Sequence, residues 1–357
     1  MDGMEEEALI FSQSFRTEKD WVTLLCDSSR TGGLGIRALK APKRARWQLH
    51  VGNSVRSAPI FRGETLYVAS LSGALHAIDV QSGRTRWKFL AGDQIHSTPS
   101  FCGNMVLFGC DDGKVYAVDD NTGTKVWEAA AGAEVWASPI VRSAVVYFGS
   151  ADGWMKAVRV ENGTSLWTRQ LGGRICSTAY AAEGHIYVGS GDGKVYSLDS
   201  SSGDILWEAT TLNGIDSSPV IAANTVLIGS EDFFFYAFDA NTGTLRWKYE
   251  TGLGISSSPA VFDDFAAVGS KDGFVYVLEV QTGRLRWKTR VGQAVTAPPV
   301  LSENAVCIQA GGTAALDKAT GKVLWRAGLG ASVQSVPVLT GNVIYVASVD
   351  GEVYAIE

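Results

Sequence analysis

The sequence predicts an all-β fold, a single eight-bladed β-propeller of four-stranded blades whose last blade is closed by the N-terminal strand around Trp47. Three observations predict it. Trp47, Trp87, Trp127, Trp167, Trp207, Trp247 and Trp287 stand forty residues apart and Trp325 follows after thirty-eight, a period that marks a repeat architecture. Between tryptophans lie three short alternating runs, as in "SAPIF", "TLYVAS" and "ALHAID" across 57–79, separated by Gly-bearing turns; with the Trp strand they make four strands per unit. The three-strand units end at Asp79, Asp119, Val160, Asp199, Asp239, Glu279, Asp317 and Glu357, and the eighth has no Trp strand of its own. The strand around Trp47 precedes the first unit and is expected to complete the eighth, leaving few free sheet edges.

Each repeated residue has a physical reason. The turn before the Trp recurs as "DVQSGRTRW" (79–87), "DDNTGTKVW" (119–127), "DSSSGDILW" (199–207) and "DANTGTLRW" (239–247). The Asp accepts bonds from turn amides, the Gly takes a positive φ, and the Trp packs against the neighbouring unit. Blade three has Arg159 at the acid position, so an altered turn is expected there. Residues 1–46 fall outside the repeat and are expected to be partly disordered or laid on the surface of a 47–357 propeller domain.

Bulk properties narrow the function classes. The chain has 357 residues, 46% of them hydrophobic, and a formal net charge of −6, which suits a large core and argues against binding a phosphate backbone. Lys43, Arg44 and Arg46 form only a small basic patch. The start "MDGMEEEALIF" lacks a secretory pattern, and no window approaches the ~18 to 20 apolar residues of a membrane helix. A cytoplasmic monomer with no nucleic-acid or membrane partner is expected. Cys26, Cys102, Cys110, Cys176 and Cys307 are scattered, with no CxxC spacing, so neither a disulfide framework nor a metal site is expected.

The pattern A-x-D-x-x-[ST]-G-x-x-x-W, with runs such as "IYVGSGDGKVYSLD" (186–199), resembles the PQQ-type, tryptophan-docking propeller repeat across residues 47–357. Members of that family include quinoprotein alcohol and glucose dehydrogenases, BamB-type outer-membrane assembly lipoproteins, sensor domains of bacterial kinases and the C-terminal domain of an acyl-CoA synthetase-like protein. Resemblance to the dehydrogenases would imply adjacent cysteines over the quinone, an acidic calcium site and long insertions between blades. This chain has no adjacent cysteines and almost no insertions, so no quinone or other cofactor is expected. Resemblance to the BamB type would imply a lipidated Cys after an apolar leader, and Cys26 has no such run before it.

One slot varies against this constant background. In blade order it holds Arg56, His96, Trp136, Cys176, Asp216, Ser256, Thr296 and Gln334, preceded always by Val or Ile and followed by Ser or Ala. Equivalent scaffold demands do not explain eight positions that differ this much. The slot opens the first strand of each blade, which borders the central channel, and alternation points it away from its buried Val or Ile neighbour. The eight side chains are therefore expected to ring the channel mouth. Water alone would suit the polar ones, but Trp136 and Cys176 are poor choices for a merely wet surface, and the mixture suits a concave ligand site.

The chemistry readable from the slot is proton transfer. His96 is a candidate base or acid, and Asp216 is expected across the ring from it, able to act on a ligand from another side; such a pair would serve a cyclase, isomerase or lyase. Arg56 would hold a carboxylate or phosphate, Trp136 would stack on a planar or cationic group, and Cys176 is a candidate nucleophile. Glu134, Arg174, Asp111, Glu231 and Lys271 come from loops on the same face. Phe233 replaces the turn Gly of blade five, either as an apolar wall of the site or packed on the next blade. Blade seven is two residues short in "QAGGTAALD" (309–317), which is expected to notch the rim beside Thr296 and Gln334. The alternative is a non-catalytic scaffold or sensor whose rim recruits a protein, for which exposed rim aromatics are the discriminating feature.

Overall fold

Eight four-stranded antiparallel sheets follow one another in the computed structural model, which describes residues 44–328, 335–340 and 343–357. In the first blade the strands Ile60–Arg62, Thr65–Ser70, Ala74–Asp79 and Thr85–Leu90 pair in chain order. The two middle strands are almost wholly buried, while the outer one alternates between exposed and half-buried positions. That difference follows the sequence: the middle strands are apolar runs sandwiched between blades, and the outer strand shows one face to water.

The ring closes as expected. Ala45–His50 pairs antiparallel with Glu352–Ile356, placing Trp47 opposite Ala355. Arg44 adds two backbone hydrogen bonds and an ion pair to Glu357, so the closing strand extends slightly before residue 47. One continuous apolar cluster joins Val51 and Ile60 of the first blade to Cys307 of the seventh and Val338 of the eighth, as closure requires.

The Trp contacts give the spacing its physical cause. Trp47 Nε1 donates to Val80 O at 2.8 Å, Trp87 to Asp120 O at 2.9 Å, and the same bond recurs from Trp127, Trp167, Trp207, Trp247 and Trp287. Each indole therefore reaches the turn of the next blade. Beneath Trp87 lies Gly123, with φ +70°, where an added Cβ would stand 2.5 Å from the ring. Only a residue without a side chain fits both the backbone and the indole.

Blade three departs from expectation. Despite Arg159, the turn amide of Gly163 still donates to the Arg159 carbonyl at 2.9 Å, and Trp127 Nε1 still reaches Val160 O at 2.7 Å. Asn162 Oδ1 accepts from Thr164 N, the bond that Ser82 and Thr122 make at the same place in blades that keep the acid. The turn is intact because its backbone bonds define it.

Candidate functional site

The Val or Ile before each slot residue fixes how the slot side chain points. Val55, Ile95, Val135, Ile175, Ile215, Ile255 and Val295 are all fully buried, and several press on a strand Gly of the preceding blade, as Ile175 does on Gly149. Their neighbours consequently turn toward the channel. Arg56 and Thr296 are exposed, while His96, Trp136, Cys176, Asp216 and Ser256 are half-buried. Gln334 lies outside the described residues.

A cavity of about 280 Å³ occupies the mouth and neck of the channel. Arg56, His96, Trp136, Cys176 and Thr296 line it, and from one turn deeper so do Ala58, Thr98, Ser138, Thr178, Ser218, Ser258, Pro298 and Val336. The volume is just under the ~300 Å³ lower end for drug-sized ligands.

The side chains of the deeper layer are bonded around the ring. Ala58 N donates to Thr98 Oγ1, Thr98 N to Ser138 Oγ, Ser138 N to Thr178 Oγ1, Thr178 N to Ser218 Oγ and Ser218 N to Ser258 Oγ, all at 2.9 to 3.0 Å. Five consecutive blades thus place a hydroxyl at the neck, whereas blades seven, eight and one place Pro298, Val336 and Ala58 there. Sequence reasoning passed over these hydroxyls. Their signal was a Ser or Thr two residues after the slot, repeated at forty-residue spacing.

The slot residues pair locally rather than across the ring. His96 Nε2 lies 3.3 Å from Asp111 Oδ2, and the imidazole meets the Trp136 ring edge-on at 6.3 Å between centroids. Burial outweighs their mutual attraction, holding the imidazole pKa below its ordinary value and the Asp111 carboxyl above its own. The imidazole is therefore neutral at neutral pH. Trp136 Nε1 and Asp111 Oδ1 are both buried without a close hydrogen-bond partner, yet the indole N–H is near enough to the carboxyl to lower the Asp111 pKa in part; Ser256 Oγ is buried and unpartnered among the described residues.

Asp216 does not line the cavity; it pairs with Arg174 of the preceding blade at 3.2 Å. His96 instead has Asp111 as its acidic neighbour. Burial, then the Asp216 charge, pushes the Cys176 thiol up to about 11, which leaves it protonated and unactivated. Glu231 and Lys271 pair with each other at 2.7 Å, and Glu134 stands outside the cavity wall. Phe233 is neither a cavity wall nor packed away: it is 44% exposed, with φ +78°.

The short turn of blade seven opens a second cavity of about 200 Å³, lined by Ala310, Gly311, Gly312 and Arg326 among others. It shares no described lining residue with the channel cavity.

The family described as outer membrane protein assembly factor BamB matches residues 34–175 and 151–356. No curated protein sequence matches. Among solved structures, BamB from Moraxella catarrhalis superposes with a TM-score of 0.76 at 19% identity, covering 88% of this chain and 99% of that one. The computationally designed protein Ika8 gives 0.79 at 21% identity, with the same coverage of 88% and 99%. Quinohemoprotein alcohol dehydrogenase from Comamonas testosteroni gives 0.78 at 15% identity, covering 99% of this chain and 84% of that one. The residues of the present cavity do not fit a quinone site of the dehydrogenase kind. Cys176 is the one thiol on its described wall, and no group of three His, Cys, Asp or Glu among the described residues is placed to hold a metal. On the match over residues 34–356, the chain belongs to the PQQ-type repeat propeller family described as outer membrane protein assembly factor BamB.

Proposed function

We propose that this propeller binds a small polar molecule at the mouth of its channel and that His96, oriented by Asp111, exchanges a proton with it. The observation that carries this reading is the cavity itself, where a guanidinium, a neutral imidazole, an indole and a thiol converge in about 280 Å³. Scaffold chemistry elsewhere in the ring repeats from blade to blade; here it does not.

The proton step uses this chain's own groups. His96 Nε2 faces Asp111, and Nδ1 has no partner among the described residues, so Nδ1 is the atom that would take a proton from a bound ligand. Asp111 would stabilise the imidazolium so formed. A non-redox cyclisation, isomerisation or elimination is the reaction class this supports. The test pairs His96→Ala with Asp111→Asn: each should abolish ligand turnover or weaken ligand binding while the melting temperature barely moves. Unaltered binding and turnover in both would refute the reading.

A second reading is favoured by a different observation. Leu212 is 81% exposed, and Phe233 and Leu253 are 44% and 45% exposed. Their loops adjoin on the mouth face, since Leu212 N donates to Asp232 Oδ2 and Thr251 N to Phe233 O. This is the exposed rim aromatic and apolar surface that a protein-docking scaffold needs, and BamB is by its name an assembly factor. Loss of a captured partner on Leu212→Ser plus Phe233→Gly, with none on His96→Ala, would favour this reading over the first.

A further inference from the structure

We infer that the channel ligand is a small organic anion, a carboxylate with a short apolar body, held between Arg56 and the hydroxyl arc of the neck. The inference rests on the channel being a ligand site and adds the ligand's charge and shape.

Charge comes first. Arg56 is exposed on the cavity wall and makes no ion pair among the described residues. Two other cations of this face are compensated, Arg174 by Asp216 and Lys271 by Glu231. An unpaired guanidinium presents a forked set of donors matched to a carboxylate.

The hydrogen-bond inventory agrees. Thr98, Ser138, Ser218 and Ser258 are each 5 to 6% exposed, and each oxygen accepts one backbone N–H. A hydroxyl has one proton to donate, and no acceptor among the described residues takes it from these four. Trp136 Nε1, a donor only, is buried beside the Asp111 carboxyl, whose pKa it lowers, and is not counted among them. The polar side of the cavity is thus rich in unspent donors, which an anion's lone pairs satisfy. A neutral ligand with as many donors as acceptors would leave part of them unmet.

The opposite wall gives the shape. Pro298, Val336 and Ala58 replace the hydroxyls over three adjacent blades and form an apolar arc beside Arg56. A molecule with one anionic end and one short apolar side fits both arcs at once, and the cavity volume of about 280 Å³ limits that side to a few carbons or one ring.

The test uses the full chain and matched probes. Isothermal titration calorimetry at low ionic strength compares acetate, butyrate, benzoate and their amides on the wild type, Arg56→Met and Arg56→Lys. At least one carboxylate should bind roughly tenfold or more tightly than its amide; Arg56→Met should bring the pair within about twofold, and Arg56→Lys should fall between. Amides binding as well as carboxylates, or a carboxylate preference untouched by Arg56→Met, overturns the anion assignment. In the first of these cases a neutral ligand still occupies the channel and His96→Ala still weakens it, so the binding-site reading survives. Binding by none of the six probes overturns the anion assignment too, and thermal-shift screening with neutral polyols then decides the broader reading separately.

Discussion

Replacing Gly123 by Ala tests why the forty-residue ruler exists. Gly123 has φ +70° and an added Cβ would stand 2.5 Å from Trp87 Cε3, whereas Gly63 has φ +57° with no atom within 4 Å of its added Cβ. Both substitutions carry the cost of a left-handed backbone, about 1 kcal/mol. At Gly123 the indole must also retreat by about 1 Å to reach ordinary carbon contact. That move stretches the Trp87 Nε1 bond to Asp120 O, now 2.9 Å, and loses about 1 kcal/mol of hydrogen bond. It also forfeits roughly 1 kcal/mol of ring packing. The expected losses are therefore about 3 kcal/mol for Gly123→Ala and about 1 kcal/mol for Gly63→Ala. Urea unfolding followed by tryptophan fluorescence measures both, with unchanged slopes and a lower midpoint. Equal losses at the two glycines would refute the claim that the turn Gly is required by the indole.

Other predictions follow from single residues. His76 is buried, and burial, then the Lys88 charge, lowers its pKa from 6.5 to about 4. A depressed histidine favours folding above pH 6.5, and that contribution is lost as pH falls from 6.5 toward 4. The span corresponds to about 3 kcal/mol, and His76→Phe should remove it from the pH dependence of the unfolding midpoint. Phe233→Gly should stabilise the fold by about 1 kcal/mol by relieving a left-handed non-glycine backbone; destabilisation on urea unfolding would mean that the exposed ring is packed. Removing the closing strand by deleting residues up to 50 should open the eighth blade and abolish cooperative unfolding, since Glu352–Ile356 then has a bare edge.

The ring was legible because a propeller repeats its environment. Trp spacing, the buried Val or Ile before the slot and the closing strand all follow from patterns compared within one chain. The pairings of the site were not legible. Asp111 stands fifteen residues after His96, in the turn between the second and third strands, and only the folding back of that turn brings it to the imidazole. Asp216 and Arg174 meet across a blade boundary, forty-two residues apart. The roles of Thr98 and its equivalents were hidden because their side-chain oxygens accept from a backbone amide in another blade. Arg159 misled for the opposite reason: a conspicuous side-chain change left the backbone turn unaltered.

The central claim is that the channel mouth, and not the rim, is where this propeller meets its ligand. A crystal structure of the protein soaked with benzoate or butyrate tests it most directly. The account predicts density in the channel with a carboxylate oxygen within hydrogen-bond distance of Arg56 and of a neck hydroxyl. Ordered water alone in the channel at saturating probe, or the probe seated instead against Leu212 and Phe233, would contradict it.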